Sequence, residues 1–155
     1  MSKFTSEAIL QNSAKQTGFE ATSFRLTNVY GPRMHDDQVV RRFIDFAHRR
    51  SDPFLIGGFD VSRQFIHIAD LARSLWYMRD ISVPVANVPG DEIRMLDLAK
   101  LTCSIAGYEP EFVEERPPPG SAIVKRMRSK YDILVRQVPL EMGVRSLYES
   151  LYLTA

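Results

Sequence analysis

Arg25-Leu26-Thr27-Asn28-Val29-Tyr30-Gly31-Pro32 is the stretch on which the fold turns. It closes an apolar run over residues 20–26 that reads as a short strand, with Phe24 and Leu26 on one face. It then passes into residues 27–37, which Asn28, Gly31 and Pro32 mark as a loop. Loops beyond the carboxyl ends of strands are where open α/β sheets bind ligands. The stretch therefore predicts both a layered α/β fold and the place to look for a site.

The flanking sequence agrees with that reading. Upstream, residues 2–17 scatter Phe4, Ala8, Ile9 and Ala14 among polar residues and end at Gly18, the pattern of a helix with a glycine stop. Downstream, Val39-Val40, Phe43-Ile44 and Ala47 recur at helical spacing beside Arg41, Arg42, Arg49 and Arg50. Residues 54–56 are a short apolar strand ended by Gly57-Gly58, and residues 64–68 alternate polar and apolar as a second strand. Asp70 reads as the N-cap of a helix over 71–78. A strand over 85–88 closes at Pro89-Gly90, and a helix over 95–106 stops at Gly107. Residues 111–114 are extended, and Pro117-Pro118-Pro119-Gly120 breaks regular structure. Leu140, Val144, Leu147, Tyr148 and Leu151 share one face of a closing helix over 140–151. Alternating helices and short strands make an α/β architecture.

Composition narrows the function. A length of 155 residues suits a single domain, 1–155, with one core. A net charge of +1 gives no global field for nucleic acid or an anionic membrane. Arg41-Arg42 and His48-Arg49-Arg50 are interspersed with Asp45 and Asp52, and Phe43 and Phe46 sit at core positions rather than stacking positions. A solvated helix face explains them, and no nucleic-acid partner is expected. No apolar run reaches bilayer length and no apolar signal core opens the chain, so no membrane partner is expected either. The single cysteine, Cys103, lies among Leu101, Ile105 and Ala106 and reads as a buried thiol, consistent with a reducing cytoplasm. His67 and Asp70 lack a third ligand at metal spacing, so no metal is expected.

The order of these motifs carries a resemblance. Ser2-Lys3 with Glu7 comes first, then the run from Arg25 to Arg33, then Arg63-Gln64-Phe65-Ile66-His67-Ile68-Ala69-Asp70-Leu71-Ala72. Asn87-Val88-Pro89-Gly90, Met95-Leu96-Asp97-Leu98-Ala99 and Arg116-Pro117 follow. The chain resembles the C-terminal half of the extended short-chain dehydrogenase/reductase family, the NAD-dependent sugar-nucleotide epimerases and dehydratases. The resemblance implies the C-terminal part of a Rossmann-like parallel sheet plus a small α/β substrate-binding lobe.

It also implies roles. Lys3 falls where the lysine of a catalytic Tyr-x-x-x-Lys pair falls, binding the nicotinamide ribose and lowering the pKa of the tyrosine by its charge. That tyrosine would fall before Met1, and no Gly-rich dinucleotide loop is present in the chain. The N-terminal dinucleotide-binding half is thus expected to be absent. Thr27 would lie near the nicotinamide and Asn28 on the substrate diphosphate. Residues 35–40, up to Val39-Val40, would cover the nucleotide base. Arg63 and Arg116 would bind the pyrophosphate, a use that suits the guanidinium fork. The family commonly has an acidic residue shortly after the second Arg-Pro, where this chain has Pro118-Pro119-Gly120-Ser121.

The complete family enzyme uses NAD or NADP and a nucleotide-sugar substrate. The isolated chain is expected neither to bind NAD tightly nor to turn over sugar nucleotides. A non-catalytic nucleotide-sugar-binding or assembly module, or one subunit of a split enzyme, is the alternative. Partners would be a second copy, through a family helix bundle that includes residues 2–17, or a separate Rossmann half. The motifs leave open the sugar, the base, epimerase against dehydratase, and NAD against NADP.

Overall fold

In a computed structural model, the structure describes residues 2–116, 127–128 and 137–153. The expectation for Pro117-Pro118-Pro119-Gly120 lies outside the described residues. The elements run α1 (Lys3–Thr17), β1 (Ser23–Leu26), β2 (Asn28–Tyr30), α2 (Val39–His48), β3 (Phe54–Gly57) and β4 (Ser62–His67). Then follow α3 (Ile68–Tyr77), β5 (Val85–Val88), β6 (Asp91–Arg94), α4 (Met95–Ile105), β7 (Phe112–Glu115) and α5 (Leu140–Tyr152).

The stretch around Thr27 is a strand that changes partners. Its first half, β1, pairs in parallel with β5, and its second half, β2, pairs in parallel with β4. The predicted loop over 27–37 is therefore corrected at its start: Asn28–Tyr30 is strand, because β4 lies alongside to take its hydrogen bonds. β4 also pairs antiparallel with β6, and β3 pairs in parallel with β7. The result is mixed α/β with mainly parallel pairing, as the motifs imply.

Two apolar clusters follow this division. Ile66, Leu71, Met78 and Val88 pack with Phe24, Val29, Leu75 and Ile81, joining α3 to the Rossmann-like strands β1, β2, β4 and β5. The larger cluster joins α2, α4 and α5 to β3 and β4 through Val40, Phe43, Ile44, Phe54, Ile56, Leu98 and Val144, among others. It is the core of the smaller lobe. In β3, Phe54 and Ile56 are buried while Leu55 and Gly57 face out, the alternation that one covered face requires.

Two further corrections concern α3 and β6. The N-cap of α3 is His67, whose Nδ1 accepts from the Ala69 N–H at 3.3 Å, not Asp70. Asp70 is buried in the first turn, where its carboxylate accepts from the N–H groups of Gln137 (3.2 Å) and Val138 (3.0 Å) and pairs with Arg73 at 3.1 Å. β6 has no counterpart among the expected elements.

α1 is built differently from the other helices. Ser2 caps it by accepting from the Thr5 N–H at 3.2 Å, and Gly18 ends it at φ 77°, a left-handed conformation that glycine adopts without strain. Yet α1 buries no residue. It is held by polar tethers: Arg25 grips Glu7 through two hydrogen bonds of 2.9 and 2.7 Å, and Gln11 donates to the carbonyls of Pro84 (2.7 Å) and Ala21 (3.3 Å). These contacts set the first turn of the helix, with Lys3, over the end of β1.

Candidate functional site

A cleft of about 1050 Å³ opens between α1, the β1–β2 strand and the N-terminal turn of α2. Lys3, Thr27, Asn28 and Val39 all line it. These four residues lie far apart in sequence, and the strand switch at Thr27 is what brings them to one wall. The helix α1 contributes Lys3 and Glu7, β1 contributes Arg25, and α2 contributes Val39 and Val40.

The charged lining is two cations, Lys3 and Arg25, and one carboxylate, Glu7. Glu7 is already committed: its hydrogen bonds from Arg25 hold its carboxyl below the usual range and raise the guanidinium in turn. Lys3 is left as the cation that a ligand would meet. An anion is favoured by such a lining.

Thr27 and Asn28 supply the polar groups. The Thr27 hydroxyl oxygen is buried and has no hydrogen-bond partner among the described residues. A buried hydroxyl in that condition costs about 1–3 kcal/mol, so a group that bonds it would be stabilised there. Asn28 donates one amide hydrogen to the Gln64 carbonyl at 2.9 Å. A primary amide carries two donors, so the second remains for an acceptor such as a phosphate oxygen.

The two arginines do not join these four. Arg63, on β4, is half-buried and donates from Nη1 to the Ser62 carbonyl at 2.8 Å; it does not line the cleft. Arg116 is exposed at the end of β7 and also lies off the cleft wall. Neighbouring titratable groups are structural. Burial holds the His67 imidazole below its ordinary value, against the pull of Asp70 and with the help of Arg73. Burial, with Asp91 and Asp70, raises the Tyr30 phenol strongly, so Tyr30 is no source of a phenolate. Burial also pushes the Cys103 thiol up to about 11, which suits a packing residue rather than a nucleophile. Among the described residues no group of three or more His, Cys, Asp or Glu side chains gathers as a metal site. No described helix is long and apolar enough to cross a membrane.

Sequence reasoning missed the Glu7–Arg25 pair as a device that places Lys3, and gave Gln64, a member of the motif from Arg63 to Ala72, no role of its own. The pair had a weak signal, since both residues belong to the motifs that were read. Gln64 had none, because its partners are remote in sequence.

Comparisons with known proteins bear on the same region. The family model described as NAD dependent epimerase/dehydratase family matches residues 1–87. A probable GDP-L-fucose synthase 1 of Oryza sativa subsp. japonica is 28% identical over 149 residues, covering 86% of this chain and 45% of that protein. A GDP-L-fucose synthase of Sinorhizobium fredii is 25% identical over 165 residues, covering 97% of this chain and 52% of its own length. Among solved structures, UDP-glucose 4-epimerase of Thermotoga maritima, determined with UDP-glucose, superposes with a TM-score of 0.86 at 26% identity, over 96% of this chain and 51% of that one. UDP-glucuronic acid 4-epimerase of Bacillus cereus, determined with UDP-glucuronic acid and NAD, shares the fold with a TM-score of 0.83 at 20% identity, over 97% of this chain and 52% of that one. The chain spans about half the length of the curated relatives it matches.

Proposed function

The chain belongs to the NAD-dependent epimerase/dehydratase family, and from that premise we propose that it is the substrate-binding, C-terminal half of an extended short-chain dehydrogenase/reductase that acts on nucleotide sugars. The observation that carries this reading is the single cleft that collects Lys3, Thr27, Asn28 and Val39. Each has a distinct task. Asn28 presents its spare amide hydrogen to the diphosphate. Val39 is the apolar cover for the base, at the start of an α2 whose Val40 and Ile44 are fully buried and hold it in place. Lys3 and Thr27 face the cofactor end, the one as a cation toward ribose hydroxyls, the other through its unpartnered hydroxyl. Arg63 and Arg116 stand off the cleft wall, and a phosphate-binding part for them rests on the resemblance of their motifs alone.

The residues present fit one end of a dinucleotide. A buried hydroxyl in need of a partner and a lysine on the same wall suit the ribose and amide groups of a nicotinamide nucleoside. NAD or NADP would be held by Lys3 and Thr27 at its nicotinamide end and would supply hydride transfer with the sugar. No described glycine-rich turn lines the cleft to cradle the pyrophosphate of such a cofactor. On this proposal residues 1–155 are one unit, to be completed by a dinucleotide-binding half.

A second reading has its own support. Among the described residues β1 pairs on one side alone, with β5, and α1 leaves Phe4 and Ile9 75% and 50% exposed. An open strand edge beside a helix that exposes Phe4 and Ile9 is a surface for a further strand-bearing partner. A separate Rossmann half or a second copy of the chain would each cover it, which keeps a split-enzyme subunit or a non-catalytic binding module as the alternative.

Calorimetric titration of the 155-residue chain tests the proposal. UDP-glucose or UDP-glucuronic acid should bind saturably without cofactor, and Asn28→Ala should weaken that binding about tenfold, the size of one charge-assisted hydrogen bond. NAD alone should bind weakly. Absence of saturable binding by either nucleotide sugar would count against the reading.

A further inference from the structure

Gln64 is a buried polar residue, 8% exposed, in the middle of β4. A buried amide needs partners for both ends of its side chain. Gln64 finds both on one residue: Oε1 accepts from the Met127 N–H at 2.6 Å, and Nε2 donates to the Met127 carbonyl at 3.2 Å. A primary amide is suited to this reciprocal pairing, because it offers a donor and an acceptor side by side, as a neighbouring strand would. The next residue is held as well, since Asn87 on β5 donates to the Arg128 carbonyl at 3.0 Å.

The backbone of Gln64 points the other way. Its carbonyl accepts from Asn28, the residue on the cleft wall, at 2.9 Å. One residue therefore joins the cleft side chain on β2 to the chain returning after β7. Rotating Asn28 to follow a ligand pulls on the β4 carbonyl, and displacing Met127 frees the side chain of the same residue.

We propose that Gln64 is a positioning residue for nucleotide-sugar binding, clasping Met127 with its side chain while fixing the Asn28 amide with its carbonyl. The inference rests on the nucleotide-sugar reading above. Gln64 does not line the cleft; it acts through Asn28 on one side and the 127–128 backbone on the other.

The test uses the full chain with UDP-glucose as probe. Gln64→Met keeps the length of the side chain and removes both hydrogen bonds to Met127. UDP-glucose affinity should fall about tenfold, the size of effect expected of a residue that acts on a site through its neighbours. The Met127 amide is a signature that a mere packing role would not move. Its proton resonance should shift when UDP-glucose binds the wild-type chain, and that response should be lost in Gln64→Met. Met127→Pro removes the same N–H from the other side of the clasp and should lose affinity to a similar extent, which guards against a folding defect specific to the buried glutamine. A wild-type chain that binds UDP-glucose together with an equally tight Gln64→Met or Met127→Pro overturns the positioning role alone. A wild-type chain that binds no nucleotide sugar overturns the functional reading and the positioning role with it.

Discussion

His67 ends β4 and caps α3 in the same residue, and its ring accepts the Ala69 N–H through Nδ1. That hydrogen bond requires an unprotonated Nδ1. Burial lowers the imidazole pKa in the folded chain, so the fold favours the neutral ring. The unfolded chain, with a pKa near about 6.5, takes up the proton first. The stabilisation is therefore complete above about pH 6.5 and is lost as pH falls through that value toward the lower folded one. The urea midpoint should drop as pH is lowered from about 7 to about 5.5, before most carboxylates titrate. His67→Asn keeps a capping acceptor without a titrating ring and should flatten this slope. An unchanged slope in that variant would assign the effect to another group. The residue also shows what local sequence can and cannot tell. Cys103 was legible because its neighbours in the chain are its neighbours in the core. The cap was not, because Asp70 is the better capping residue by type. It is diverted to the Gln137 and Val138 N–H groups, contacts that no local pattern announces.

The turn between β5 and β6 crosses β4 at close range. A Cβ on Gly90 would fall onto the carbonyl carbon and oxygen of Phe65, backbone atoms that cannot swing aside. Phe65 is itself held in register with Asn28 on one side and Asp91 on the other. Gly90→Ala should therefore destabilise the chain by about 2–4 kcal/mol, the range for overpacking against a fixed backbone. Gly57→Ala is the matched control: no atom beyond its own residue and chain neighbours lies within 4 Å of the added methyl, and its φ is not positive. Its effect should stay under about 1 kcal/mol. Equal midpoints for the two variants in urea would refute the packing argument. Pro89-Gly90 was readable as the end of a strand, but the strand after it was not. Asp91-Glu92-Ile93-Arg94 has one apolar residue and no alternation to detect. It becomes β6 because β4 offers a free edge for antiparallel pairing. β2 escaped for a similar reason, since Asn28 and the following Gly31-Pro32 carry loop chemistry while the hydrogen bonds come from β4.

For the whole molecule, the motif order conveyed the α/β class and the Rossmann-like sheet with its smaller lobe, because those motifs sit at the strand ends that build both. Of the residues that the motifs single out, Lys3, Thr27, Asn28 and Val39 share a cleft while Arg63 and Arg116 stand off it, a grouping that only the three-dimensional path of the strands decides. The cleft depends on a helix with no core of its own. An isolated helix of this length is marginal in water, and α1 buries none of its residues. Its position over β1 then rests on Arg25 gripping Glu7 and on Gln11 reaching two carbonyls. Arg25→Gln removes the charge and the two-pronged grip together. Hydrogen exchange should become faster along α1, by about tenfold or more, while amides in α4 and β4, whose side chains fill the main core, keep their protection. Because Lys3 moves with α1 and Asn28 does not, nucleotide-sugar binding should survive this change better than any contact made by Lys3. Equal exchange in α1 of both chains would show that the helix is held by something other than its polar tethers.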